Sequence, residues 1–429
     1  MKSAIVTYSQ AQHEPSFMLQ LRQRASEILE TAKLPYIQRF RYHNWRLVDQ
    51  QLKLAISNSA SLPPALQQPA PAEAVQFVAF GQTTVRCQLP AALVAQGVLL
   101  MDLPTALRKQ PELMQRHLMQ VIKADEDQLT AYHAAYLTSG VVLYVPAGLQ
   151  ITEPVELELV QDASQKVPFV SHVLVVAAQS ASVKVVEHLS TIGSVPNTAN
   201  LMVEVAAAAG SQVEFSSLDE LGAQTTLAFN RRADIDRDAH VEWNVALMND
   251  GNTIGDLASE LVGEGSYADS KVIAVTARDE QVAINNRVIN RGRHSTGLIN
   301  QRGVLLDQSK LIFNGIGQIV HGASGAKADQ KNRVLMMSDE AHGDANPLLL
   351  IDENDVIAAH AASVGPVDPI QMNYLMSRGL TYPTAERMVI HGFLDAVLSG
   401  MPAGLVRDRM LAILERKLIH GQKQRFATV

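Results

Sequence analysis

Ser182-Val183-Lys184-Val185, Ser211-Gln212-Val213-Glu214-Phe215, Ala239-His240-Val241-Glu242-Trp243 and Ser266-Tyr267-Ala268 repeat one pattern, a small residue followed by a stretch in which apolar and polar side chains alternate. Alternation with period two is the signature of a strand with one buried face. The small residues stand 29, 28 and 27 positions apart. A drifting repeat of that length, in chain that is nearly all strand, is what a β-solenoid needs when each coil contributes two or three strands and tight corners. Stacking coils in parallel buries a column of Val, Leu, Ile and Phe, and alternation turns Lys184, Glu214 and Glu242 outward. The competing architecture is a large antiparallel sandwich. Asp250-Gly251 is the one hairpin-type dipeptide noted between these strands, as a local hairpin or a loop excursion, and the scarcity of such turns favours the solenoid.

Outward from this region, strand texture such as Val141 to Val145, Val155 to Val160 and His172 to Ala177 runs from residue 140 to 365. Residues 1–139 read as a mainly helical N-terminal domain, interrupted at 62–74, where Pro63, Pro64, Pro69 and Pro71 predict an extended connector. Residues 366–429 read as a C-terminal helical domain. Asp368 is placed to cap a helix with Pro369 in its first turn and Gly379 at its end. The following helix carries Ala385, Met388, Val389 and Phe393 as its expected core face. The fold class is therefore mainly β, a parallel β-helix flanked by helical domains. Both open ends of such a stack are expected to be covered, because bare strand edges template further strands.

Composition narrows function. The chain has 429 residues, 47% hydrophobic and 18% charged, with a formal net charge of −7. It has material for a core and no basic footprint for nucleic acid, so no nucleic-acid partner is expected. We find no apolar run of about 18 residues, and the stretch from Met1 to Pro15 is too polar for a signal peptide, which predicts a cytoplasmic protein with no membrane partner. The lone cysteine, Cys87, excludes a disulfide framework or a multi-cysteine metal site within one chain. It lies in the apolar-rich strand reading Val75 to Leu89, and a buried thiol is expected. No Gly-x-x-x-x-Gly-Lys-Ser/Thr loop occurs, so nucleotide hydrolysis would fall to another subunit.

A second set of residues carries a resemblance. Lys327 to Asn332 followed by Val334-Leu335-Met336-Met337-Ser338, Asp344, Pro347 to Ile351, Asn354-Asp355-Val356, His360, Val364-Gly365, Asp368, Tyr374-Leu375 and Ser377-Arg378-Gly379 together resemble the C-terminal signature of the SufB/SufD family. The resemblance covers roughly the last quarter of the chain and implies a right-handed parallel β-helix. It also implies a non-enzymatic scaffold for iron–sulfur cluster assembly. SufB-like members are expected to offer cysteine where His360 stands, and SufD-like members histidine. This chain resembles the second kind, with the departure that Ala358 stands where a cysteine is usual.

The resemblance further implies a SufB partner meeting this chain through the β-helices, with His360 at a shared, transient cluster, and a SufC ATPase on the C-terminal helices. Tyr382, Glu386, Arg387 and His391 are the candidate SufC contacts, being expected to lie outside the core stripe. Reduced flavin in the complex is a further implied cofactor, and none is expected in the isolated chain. Alternatives are a homodimeric storage or transfer protein and a β-helix carbohydrate-active enzyme, although no gathered carboxylates mark a groove for the latter. His294, His321, His342 and His391 are weaker metal candidates, and Lys327, Asp329, Gln330 and Asn332 are read as structural groups at solenoid corners.

Overall fold

A computed structural model describes residues 2–48, 62–398, 400, 402 and 404–427. The chain opens with α1 (Lys2–Ala11) and α2 (Ser16–Leu29), and after a 3₁₀ turn at Pro64–Gln67 forms β1 (Val75–Phe80), β2 (Thr83–Gln88), α3 (Ala91–Ala95), β3 (Leu99–Asp102), α4 (Leu103–Lys109), α5 (Pro111–His117) and α6 (Gln128–Tyr136). Strands then alternate between two faces: β4 (Ser139–Val145), β5 (Val155–Ala163), β6 (Phe169–Ala177), β7 (Ser182–Gly193), β8 (Asn197–Ala207), β9 (Gln212–Glu220), β10 (Thr225–Ile235) and β11 (His240–Leu247). The alternation continues through β12 (Thr253–Leu261), β13 (Tyr267–Thr276), β14 (Gln281–Asn290), β15 (Thr296–Leu305), β16 (Lys310–Ile319), β17 (Lys327–Met336), β18 (His342–Ile351) and β19 (Ile357–Gly365). The helices α7 (Pro369–Ser377), α8 (Tyr382–Leu398) and α9 (Leu405–Ala427) follow.

Odd-numbered strands from β5 to β19 join β1 and β2 in one ten-stranded sheet, and even-numbered strands from β4 to β18 join β3 in a nine-stranded sheet. From β4 to β19 every pairing is parallel and in register, one coil of two strands above the next. This is the parallel solenoid, and it excludes the sandwich. Asp250-Gly251 forms a coil corner between β11 and β12, where a side chain at 251 would come within 2.1 Å of the Thr225 carbonyl oxygen. The solenoid begins earlier than the change of texture at residue 140, because β1 already pairs with β5 along its whole length.

Register explains the core. Val185, Phe215, Trp243, Ser270, Ile299, Gln330 and His360 occupy one inward column. All but the last are buried, and the Phe215 and Trp243 rings lie 5.2 Å apart. Lys184, Glu214 and Glu242 face solvent as alternation requires, and Lys184 pairs with Glu214 at 3.0 Å. Seven of the corners that lead from the nine-stranded to the ten-stranded sheet share a residue in the left-handed region: Gly148, Ser180, Gly210, Asp238, Gly265, His294 and Gly325, with φ between 55° and 76°. This position, directly before the small residue or one step earlier, sets the turn that closes these coils.

The two ends differ. The antiparallel β1–β2 and β3–β4 pairs close the first coil, and α2 and α4–α6 pack a second core against β4, β6 and β8. The last coil is open, contrary to the expectation of a cover: most of β19 is exposed and β18 is only half-buried. The C-terminal helices lie on the flank instead, where Ile390, Leu394, Met410, Ile413, Leu414 and Leu418 meet Leu218, Ala246, Ile273, Val304 and Met337, one from each of five successive coils of one face and its corners. An apolar helix stripe needs a partner surface, and the long side wall offers more of it than the narrow end. Cys87 departs from expectation too. It is exposed, because it sits opposite Phe77 on β2, beyond the last covered strand of the first coil.

Candidate functional site

The site is the open end. Ile357 N–H donates to the Ala326 carbonyl, so alternation turns the main chain of odd-numbered residues of β19 toward β17. It leaves the N–H and C=O groups of Ala358, His360, Ala362 and Val364 on the free edge. On β18 the N–H groups of His342 and Asp352 reach back to Ser309 and Ile319, which leaves Gly343, Ala345, Leu349 and Ile351 free, with Pro347 supplying no donor. Apolar side chains crowd these edges: Leu350 is 47% exposed, Ile351 39%, Ile357 65% and Val364 41%. Such bare, apolar edges are docking surfaces by nature.

His360 stands in the middle of this end. It is exposed, yet its register partner Gln330 is buried, so the imidazole continues the inward column at the point where no further coil covers it. Gln330 donates through Nε2 to the Leu348 carbonyl at 2.7 Å. Its side chain crosses a lumen kept open by Gly315, where a Cβ would come within 2.4 Å of the Gln330 Oε1. A neutral imidazole can ligate iron through either ring nitrogen, but no group of three His, Cys, Asp or Glu side chains suited to a metal forms among the described residues. Cys87 belongs to the first coil, at the opposite end of the stack. Any cluster at His360 therefore draws its remaining ligands from another molecule.

The other sequence candidates separate. His294 holds a left-handed corner, with Gly325 of the next coil packed against its ring, a structural duty. His321 and His342 are exposed, each facing one carboxylate, Glu353 at 3.8 Å and Asp344 at 3.7 Å. Gln330 and Asn332 point into the lumen and not to corners. On α8, Tyr382 is exposed, but Glu386 is buried and accepts from Gln422 Nε2 at 2.8 Å, which corrects its reading as an outward residue. Arg387 and His391 are half-buried against α9, the first on Gln422 Oε1 at 2.8 Å and the second on Glu415 Oε1 at 2.5 Å. Met388, expected in the core, is exposed. The cause is that α9 crosses the polar side of α8, so polar residues meet polar residues there and the exposed apolar ones are left for solvent.

Two buried polar networks were not legible beforehand. In one, Arg231 is held by Asp219 and Glu187 inside the solenoid, at 2.8 Å and 2.7 Å, with burial pushing the Glu187 carboxyl up to about 7. In the other, Asn200, His133, His172 and Glu204 form a buried chain between α6, β6 and β8, and Glu204 also accepts the N–H groups of Met119, Val121 and Ile122. The first spans residues 187–231 and the second 119–204, so no local motif announces them.

Comparison with known proteins now decides the family. The family model described as SUF system FeS cluster assembly, SufBD core domain, matches residues 159–393, and the SufBD protein N-terminal region matches 73–157. The iron-sulfur cluster assembly protein SufD of Bacillus subtilis is 38% identical over 96% of this chain and 96% of its own length. The chain belongs to the SufB/SufD family. Within the family it is SufD-like: SufB of Bacillus subtilis is 22% identical over 72% of this chain and 67% of its own length. A SufBD family protein of Pyrococcus horikoshii is 26% identical over 72% of this chain. The SufB/SufD core model covers the whole run from β6 to β19, open end included. No helix among the described residues is long and apolar enough to cross a membrane.

Proposed function

We propose that this chain is a SufD-type scaffold subunit of SUF iron–sulfur cluster assembly. In this reading a SufB-type partner lays strands along the free edges of β18 and β19, and His360 contributes one imidazole to a cluster assembled in the shared pocket. The cluster is cargo, held by ligands from both chains. The observation that carries the reading is the combination at one place of an exposed, inward-column histidine and two unpaired apolar strand edges. A SufC-type ATPase docks on the C-terminal helices, where Ile370, Tyr374, Met388 and Leu405 expose apolar surface away from the flank core.

The test uses the chain reconstituted with SufB-type and SufC-type subunits. His360→Ala is expected to leave folding and complex formation intact, because the side chain is exposed, and to lower cluster yield measured by iron, sulfide and visible absorption. Unchanged yield rejects His360 as a contributor. For the ATPase platform, Ile370→Asp is expected to weaken SufC binding without altering the SufB contact.

A further inference from the structure

An asparagine ladder runs up the outer face of the nine-stranded sheet and ends at the open coil. Asn285, Asn314 and Asn346 occupy one column in register on β14, β16 and β18. Asn314 Nδ2 donates to Asn285 Oδ1 at 3.0 Å, and Asn346 Nδ2 donates to Asn314 Oδ1 at 3.0 Å. Backbone carbonyls fix the polarity. Asn285 Nδ2 also faces the Tyr36 carbonyl at 3.5 Å, and Asn314 Nδ2 faces that of Gln38 at 3.4 Å. A carbonyl only accepts, so the amide nitrogens must lie on that side and every Oδ1 must point toward the open end. The segment from Leu34 to Val48, packed over Ala228, Ile254, Ala283 and Ile312, thus sets the direction of the whole ladder. At its end, Asn346 Oδ1 accepts no hydrogen bond among the described residues, while the Asn346 main chain is turned back to β16.

We infer that the strand a partner lays along β18 carries a carboxamide, asparagine or glutamine, opposite Asn346, and that this rung selects a different chain over a second copy of this one. The inference rests on the reading that the open end is the docking edge. Neighbouring strands lie about 4.8 Å apart, a gap that each amide of the ladder already bridges, whereas a serine hydroxyl is one atom too short. In the two registers centred on Asn346 and on Pro347, self-pairing is disfavoured by the same features. An antiparallel pair about a two-fold axis normal to the sheet can set Asn346 against its own copy, with acceptor facing acceptor. It can otherwise set Pro347 against its own copy at a position where both N–H groups should bond and neither exists. A foreign strand escapes both conflicts, which is how a docking edge gains specificity.

The experiment measures affinity between this full-length chain and the SufB-type subunit of the same system by isothermal titration. Asn346→Ala is expected to weaken binding roughly five- to tenfold, the scale of one lost hydrogen bond, while the chain alone stays folded, its unfolding midpoint lowered only by the loss of the Asn346–Asn314 bond. Replacing the amide on the docking strand should cost the same, and the double substitution no more than either. Pro347→Ala, which restores an edge N–H, is expected to raise self-association in sedimentation runs. Unchanged affinity of Asn346→Ala overturns the amide rung while leaving the docking edge in place. If the unaltered chains do not associate at all, the docking edge and the rung fall together.

Discussion

Lys417 pins the C-terminal helices to the solenoid wall, and its loss gives the most quantitative test of how they are held. Its ammonium lies 3.0 Å from Glu280 Oε2, 3.1 Å from Asp250 Oδ1 and 2.8 Å from the Asn249 carbonyl, with the Lys417 and Glu280 side chains 3% and 2% exposed. Lys417→Met keeps most of the stem's packing and removes the charge, so that Glu280, whose carboxyl burial already pushes up, loses its main compensating partner. Breaking a buried pair by removing one partner costs about 3–5 kcal/mol. Arg278 still reaches Glu280 at 2.9 Å, which places the expected loss at the lower end, about 3 kcal/mol. At about 1.4 kcal/mol per tenfold, that is roughly two powers of ten in the equilibrium for helix undocking. Native-state hydrogen exchange reads this directly. Amides of α8 and α9 should lose about a hundredfold protection, while strands β7 to β13 keep theirs. Adding Glu280→Gln should recover part of the loss, since the buried carboxyl that Lys417 compensated is then gone. Equal protection of α9 with and without Lys417 would refute the pin.

Two further outcomes follow from burial and charge. The Glu187 carboxyl is pushed from about 4.5 up to about 7 by burial, only partly offset by Arg231. The folded protein therefore holds this proton more tightly than the unfolded chain, and stability falls as pH rises between those values. Glu187→Gln should leave the melting temperature little changed near pH 4.5, raise it by an amount that grows up to pH 7 and hold that gain above it. A gap independent of pH contradicts the assignment. Cys87 is exposed, yet partial enclosure and the nearby Asp102 push its thiol up to about 11, and its Sγ lies 3.2 Å from the Leu100 carbonyl. Alkylation at pH 8 should run at least tenfold slower than for an ordinary exposed cysteine, and an ordinary rate would reject the assignment.

The solenoid was legible in the sequence because its repeat is local. Ser182, Ser211, Ala239 and Ser266 mark corners, and the alternation after each marks which side chains enter the lumen. Asp368 and Gly379 likewise bound α7 as read, with Asp368 accepting from the Ile370 N–H at 2.8 Å. The left-handed corner position was harder to see, because Gly, Ser, Asp and His all fill it and only the backbone reveals that they are equivalent. The bare last coil could not be read at all. The residues from Val356 to Val364 are as apolar as a covered coil, and exposure there depends on what does not lie above them. The same holds for Glu386, Met388 and Cys87, whose surroundings are set by elements distant in sequence. His360 itself was found through a resemblance, while its standing above Gln330 at the open end comes from the register alone.

The most direct test of a shared cluster site is an anaerobic assay of bound iron and acid-labile sulfide on the purified chain, alone and with its SufB-type partner, after identical supply of both elements and gel filtration. The account expects background levels on the isolated chain and a cluster that appears only in the mixture and depends on His360. A stoichiometric cluster retained by the isolated chain would contradict it.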